Sequence, residues 1–423
     1  MINFIKTKLI KYLFKVIPAF LRYKIIRAMI NINFKPDSRL TFKMASNKQE
    51  LSDAFKILHD EYVRQGYMNP HPSGMRITIY HALPETTTLI ALWEKEVIGT
   101  VSIIRRTGLK LPLESIFDIS DVLNKESNCV EISALAIKKG FQKQRGEILF
   151  PLLKFLTEYC REYLDVKMVL MAVNPKAFDF YAALAFFKYL SRKVSKYAYV
   201  NNVPAVAGYL DLSKGYQKAQ VCYNKKVDKR NLYKYFNDTR LSNFEFPERK
   251  YYTTAFPVMT PALLRYFFLE QSKVFSFLTK REYDQLSNIY SSRQYVDILP
   301  KFHFDKKNKD SREERFSVSC PGIILFENKA DIKMKIDNVS ENGLGAFLEE
   351  TVYCTDVVRA SVKVAEFEVI NLTLVLAWCD VEKNYYGFKV IKPDQKWLDF
   401  VYYSEKKFFQ MKTAVFVKYK KSA

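Results

Sequence analysis

The side chains with chemical potential concentrate between positions 128 and 187. Glu131 sits in a strand-like run, Cys129-Val-Glu-Ile-Ser-Ala-Leu-Ala-Ile137. A carboxylate there can serve as a base, or it can simply pair with one of the many lysines nearby. The next segment, Lys138-Lys-Gly-Phe-Gln-Lys-Gln-Arg-Gly146, combines glycines with the cations Lys138, Lys139, Lys143 and Arg145. Backbone N–H groups of a glycine loop opening a helix, with cations beside them, suit a phosphate or pyrophosphate. Further on, Asn174-Pro-Lys-Ala-Phe-Asp-Phe-Tyr181 sets an asparagine before a proline and a tyrosine early in a helix. A tyrosine hydroxyl, with a pKa of ~10, can protonate a departing thiolate, whose thiol titrates near ~8.5. The alternative is a Phe-Tyr pair packed in an apolar helix.

These groups need elements that hold them together. The run 129–137 reads as a strand, 147–163 as an amphipathic helix and 166–173 as a second apolar strand. Pro151 falls near the expected start of that helix, where a missing N–H costs least. Strand, basic glycine loop, helix, strand and an Asn-xx-Ala-xx-Phe-Tyr helix is the order found in the GNAT N-acyltransferase core, which this region resembles. Before it, 51–65 reads as a helix, 87–93 and 97–105 as a hairpin turning at Glu94-Lys-Glu96, and 206–212 after it as a closing strand.

Further motifs resemble the FeeM-like N-acyl amino acid synthases, relatives of the acyl-homoserine-lactone synthases. Tyr62-Val-Arg-Gln-Gly-Tyr-Met-Asn-Pro-His-Pro-Ser-Gly-Met75 is similar to their N-terminal signature. Thr86-Thr-Thr-Leu, Val97-Ile-Gly-Thr100, Leu111-Pro-Leu-Glu-Ser-Ile-Phe117, Glu131-Ile-Ser-Ala-Leu-Ala-Ile137 and Asn202-Val-Pro-Ala-Val206 continue it in order, over about residues 45–212. The resemblance implies transfer of a long acyl chain from a phosphopantetheine thioester, on acyl carrier protein or acyl-CoA, to an amino acid. It implies Glu131 as general base, Tyr181 as general acid, and Lys138, Lys139, Lys143, Arg145, Gly146 and Asn174 around the donor. Arg64 would meet the amino-acid carboxylate, or remain a solvated helix arginine. The chain departs from the pattern at Asn174-Pro-Lys176-Ala177, where the family has Asn-Pro-Arg-His, and at Ala185-Phe186, where it has Gly-Phe. The glycine loop also lacks its second small residue, reading Lys143-Gln-Arg-Gly146-Glu-Ile148.

The rest of the chain adds two modules. Residues 213–300 read mainly helical, with a Thr260-Pro261 start and a Thr279-Lys-Arg-Glu282 capping box, as a helical hairpin packed on the core. After a charged linker at 306–315, strands at 318–326, 331–336, 346–348, 357–364, 367–378 and 385–391 imply a small antiparallel barrel, closed by a helix at 395–410. Asn338-Val-Ser-Glu-Asn-Gly343 and Tyr385-Tyr-Gly-Phe-Lys-Val390 resemble motifs of PilZ domains, which bind cyclic di-GMP. That resemblance implies a nucleotide site at Arg312, Arg315, Asn338, Ser340 and Gly343. The linker reads Arg312-Glu-Glu-Arg315, one residue shorter than the family's Arg-x-x-x-Arg.

The expected architecture is therefore α+β. A basic segment at 1–39 precedes a GNAT-like mixed-sheet core at 40–215, a helical extension at 216–304, the barrel at 305–393 and a helix with a basic tail at 394–423. With 67 basic and 45 acidic residues in 423, the net charge is +22, which favours an anionic partner. Acyl carrier protein and an anionic membrane surface fit. No nucleic-acid-binding signature accompanies the charge, so a nucleic acid polymer is not expected. The first 36 residues carry lysines and arginines, no acid, and apolar residues at helical spacing up to Phe20, with a break at Pro18. They predict a helix lying on the cytoplasmic face of a membrane, or one docked on the core. Six scattered cysteines and four histidines without ligand spacing exclude a metal centre and a Ser-His-Asp hydrolase. Against the acyltransferase stands one alternative: a cyclic di-GMP receptor whose GNAT-like half only binds other proteins.

Overall fold

The computed structural model describes residues 17–106, 109–123, 128–141, 145–248, 251–252, 259–290, 293–295, 297–300, 315–326, 330–352, 357–381, 384–409 and 416–418. Residues 1–16, Lys143, Arg312 and the linker at 306–314 lie outside them, and with them most of the expected N-terminal helix.

In chain order the helices of ten or more residues are α1 (Ala19–Ala28), α2 (Lys48–Gln65), α3 (Arg145–Glu158), α4 (Pro175–Ala185), α5 (Leu212–Tyr223), α6 (Lys280–Ile289) and α7 (Gln395–Phe409). The strands of the first half are β1 (Leu40–Met44), β2 (Thr86–Trp93), β3 (Glu96–Arg105), β4 (Cys129–Ile137), β5 (Met168–Val173), β6 (Lys188–Tyr197), β7 (Val203–Asp211) and β8 (Phe244–Pro247). The barrel is built from β9 (Phe316–Leu325), β10 (Ile332–Ser340), β11 (Gly343–Leu348), β12 (Val357–Ala365), β13 (Glu368–Asp380) and β14 (Tyr385–Ile391), with β15 (Phe416–Lys418) beyond it.

The large sheet runs β15-β8-β1-β2-β3-β4-β5-β7-β6. Its pairs are antiparallel except β1 with β8 and β4 with β5. Period-two alternation supplies both faces: Leu89 and Ala91 of β2 join the layer under α3, and Ile90 and Leu92 join the layer under α2. Helix α2 starts at Asn47, whose side chain accepts from Glu50 N at 2.9 Å, and ends at Gly66 with φ +75°. Helix α3 begins at Arg145, earlier than its periodicity suggests, so Pro151 lies inside it. Ile148, Leu152 and Phe155 are at most 1% exposed. At roughly 1.5–3 kcal/mol each, they outweigh the ~3 kcal/mol an internal proline costs.

Several expectations need correction. Strand β7 is internal, because the polar stretch 188–197 forms the edge strand β6 outside it. The region read as a helical hairpin also supplies β8, whose Phe244 and Phe246 pack on Phe155. Its Thr260 and Thr279 caps do form, with Thr279 and Glu282 in a reciprocal box.

The barrel closes as β10-β11-β14-β13-β12-β9. Its interior is continuous with the apolar layer under α2 through Phe267, Leu286 and Tyr295. Trp397 of α7 is fully buried and its Nε1 donates to Glu341 O at 2.9 Å, which plugs one end. An ion pair between Asp165, before β5, and Lys335 of β10 joins barrel to sheet. Helix α1 lies against α4, with Arg22 paired to Asp179 at 3.0 Å and Arg27 Nε donating to Ala183 O at 2.7 Å.

Candidate active site

Strands β4 and β5 are paired only over Cys129–Glu131 and Met168–Leu170. Past Glu131 they part, β4 staying with β3 and β5 with β7. Ala134 of β4 adopts φ +56°, a left-handed conformation that kinks the strand where its ladder with β3 slips register. The wedge between the parted strands is a cavity of about 290 Å³. Glu131, Asn174 and Tyr181 all line it, so packing brings together three of the residues singled out from sequence.

Glu131 is 2% exposed, and its Oε2 accepts from Leu113 N at 2.9 Å. Burial pushes its carboxyl up to about 8, with Glu114 adding to the rise and the Leu113 N–H opposing it. A carboxylate so poised can take a proton near neutral pH. Around it stand Tyr62, Tyr80, Tyr197 and Tyr199, each raised first by burial and also by the negative charge of Glu131; Tyr62 rises to about 12. Past Glu131 the cavity wall turns apolar, with Leu153, Leu156, Met171, Leu210 and Phe236.

Tyr181 projects from α4 with its ring edge-on to Phe180 and Phe187. Asn174 caps that helix, accepting from Lys176 N at 3.0 Å, so its side chain holds the first turn beneath Tyr181. Gly140 turns the loop after β4 with φ +103°. Lys138 is paired with Glu96, Lys139 is exposed, and Arg145 and Gly146 form the first turn of α3. Arg64 lies apart from the cavity, half exposed and bonded through Nε to Glu61 Oε2 at 3.2 Å. Arg76, which sequence reasoning passed over, lies over the rings of Tyr62 and Tyr199 at 4.6 and 4.8 Å from their centroids. No spacing rule points to it, because its partners come from two distant segments.

In the barrel, Arg315 Nη1 donates to Asn338 Oδ1 at 2.7 Å. Asn338 Nδ2 donates to Tyr385 Oη at 2.6 Å, and Tyr385 donates to Asp337 Oδ1 at 2.7 Å. Asp337 is the bulged residue of β10, out of register with both neighbouring strands. A side chain on Gly345 would strike Tyr385 and Asn338, and one on Gly343 would crowd Arg315 and Ser340. Four of the five motif residues thus converge at one corner, and Arg312 lies outside the described residues. Among the described residues no group of histidine, cysteine or acidic side chains could hold a metal ion, and no helix is long and apolar enough to cross a membrane.

Residues 53–211 match the family model of the N-acyl amino acid synthase FeeM. The matched segment holds most of the residues that line the wedge. Glu131, Asn174 and Tyr181 fall within it, while Leu212 and Phe236 complete the lining from beyond its end. Similar solved structures include FeeM from uncultured soil microbes, at 22% identity and TM-score 0.37 over 42% of this chain and 94% of that one. The acyl-homoserine lactone synthase LasI is 14% identical, with TM-score 0.31 over 42% and 91%. The CoA-dependent acyl-homoserine lactone synthase BjaI is 16% identical, with TM-score 0.33 over 42% and 89%. No curated protein matches the chain.

Proposed function

We propose that the chain joins a long acyl group, carried as a phosphopantetheine thioester on acyl carrier protein or CoA, to the amine of an amino acid. The observation that carries this is a buried carboxylate and a tyrosine on one cavity whose far wall is apolar. Glu131 takes a proton from the attacking nitrogen, directly or through water. A C–N bond forms at the thioester carbonyl, the C–S bond breaks, and Tyr181 protonates the sulfur, leaving an amide and a free thiol. The acyl chain lies along Leu153, Leu156 and Met171. Lys139, Lys143 and Arg145 supply positive charge for the donor's phosphate or for an acidic carrier protein, which a chain of charge +22 attracts. Asn174 acts by fixing the helix that carries Tyr181.

The test is mass spectrometry of purified protein with long-chain acyl carrier protein, or acyl-CoA, and mixed amino acids. N-acyl amino acids are expected from wild type and not from Glu131→Gln. No product from folded wild-type protein overturns the reading and favours the non-catalytic receptor.

Two further parts rest on separate observations. The convergence of Arg315, Asn338, Ser340 and Gly343 supports the barrel as a PilZ-like receptor for cyclic di-GMP, with Arg312 as a further proposed ligand residue. Calorimetry should register nanomolar to micromolar binding that Arg315→Ala abolishes; absence of heat at saturation would remove this part. Exposed Phe20 on α1 and Met29 at its C-terminal end, beyond the basic segment 1–16, support attachment to an anionic membrane from the cytoplasmic side. Deleting residues 2–34 should release the chain from anionic vesicles.

A further inference from the structure

Two polar groups beside the cavity have no use in the mechanism above. Tyr197 is 3% exposed, lines the cavity, and its hydroxyl has no hydrogen-bond partner. A buried hydroxyl left unpaired costs stability, so an orphan facing a cavity marks a place where a ligand atom belongs. Arg76 is the second group. It is half-buried over Tyr62 and Tyr199, which line the cavity, and has no carboxylate partner among the described residues. Its Nη2 donates to Tyr199 O at 2.8 Å, and the guanidinium also hydrogen-bonds the Tyr199 side chain. A guanidinium held by two aromatic rings, with no carboxylate of the protein against it, can take a ligand carboxylate by paired hydrogen bonds.

The two tyrosines between them fix the polarity of the site. Tyr62 and Tyr199 each feel Arg76 as a lowering charge and Glu131 as a raising one, so they lie within electrostatic reach of both. One side of this tyrosine wall is cationic, and the other holds the base. A free α-amino acid has matching ends, a carboxylate for the cation and an amine for the base.

We propose that Arg76 and Tyr197 form the acceptor subsite: Arg76 binds the α-carboxylate, and Tyr197 hydrogen-bonds the amine end beside Glu131. This deepens the acyltransferase reading and assigns its selectivity for α-amino acids over simple amines. Arg64, paired with Glu61 away from the cavity, has no part in it.

The experiment is saturation-transfer NMR on the full chain with the free proteinogenic amino acids and their α-carboxamides. Wild type should give transfer to at least one free acid and weak or no transfer to its amide. Arg76→Gln should weaken the acid at least about tenfold, Arg76→Lys should restore part of it, and Tyr197→Phe should weaken it several-fold. Glu131→Gln should retain carboxylate selectivity, since it touches the other end. Equal binding of acid and amide by wild type would overturn the subsite, as would selectivity that survives Arg76→Gln in a protein with an unchanged near-UV spectrum. Carboxylate-selective binding without acyl transfer would fault the acyltransferase reading alone. Acyl transfer indifferent to the carboxylate would fault the subsite alone.

Discussion

At the scale of residues, Glu131 carries two opposed duties. Burial raises its carboxyl from 4.5 to about 8, which suits a base but leaves the anion poorly solvated. Acyl transfer, read as kcat/KM, should therefore climb tenfold per pH unit below about 8 and level off above it. Glu131→Gln should lower kcat by roughly 10²–10⁴-fold. The same shift predicts a stability effect of definite sign. Between 4.5 and about 8 the folded state binds the proton more tightly than the unfolded chain, so this group's contribution falls as pH rises through that window. Glu131→Gln should match wild type near pH 4 and exceed it at pH 9 by up to roughly 5 kcal/mol, measured by urea denaturation. A variant less stable than wild type at pH 9 would mean the carboxylate is better solvated than its burial implies.

At the scale of elements, the wedge depends on a kink and a cap. Ala134 holds φ +56° in β4, a conformation disfavoured for residues with a side chain and worse for β-branched ones. Ala134→Gly should leave stability unchanged or raise it by up to ~1 kcal/mol. Ala134→Val should cost about 1–2 kcal/mol and reduce activity, because straightening the strand closes the gap to β5. Asn174 separates capping from phosphate binding. If it acts by capping α4, Asn174→Ala loses ~1 kcal/mol and slows transfer, while Asn174→Asp, an equally good cap, retains both. An aspartate variant as poor as alanine in KM for the acyl donor would instead place the side chain against the donor's phosphate.

At the scale of the whole molecule, the two halves share one apolar core. It runs from Phe55 of α2 through Phe267, Leu286 and Tyr295 to Val318 and Ile336 inside the barrel. Asp337 in the barrel also lies within electrostatic reach of Arg105, whose β4 partner Val130 adjoins Glu131. Cooperative burial of this kind predicts a single calorimetric unfolding transition, and a core that loses stability when 315–423 is removed. Two resolved transitions, or a truncated core as stable as the full chain, would show that the barrel is only tethered. Coupling through that contact would let a ligand at Arg315 and Asn338 bias the synthase half by its differential affinity for two poses.

What the sequence determined by itself was local. Alternation marked the six barrel strands, because each buries one face and the pattern must repeat every second residue, although β10 and β11 run longer than it suggested. Strands β2, β3 and β4, largely buried on both faces, were legible as short apolar runs. Caps at Thr260 and Thr279 were legible for the same reason: donor and acceptor are three residues apart. The ordered motifs from Tyr62 to Val206 also carried the acyltransferase reading that the family match over 53–211 supports. Tertiary structure alone decided the rest. Polar β6 is a strand because an open edge of β7 was there to pair with, and β8 because β1 was. Glu131 differs from a surface glutamate only through Leu113, Glu114 and the tyrosines that remove its water. Arg76 and Tyr197 meet the site from segments more than a hundred residues apart, and desolvation is a property of such assembled neighbourhoods rather than of any stretch of chain.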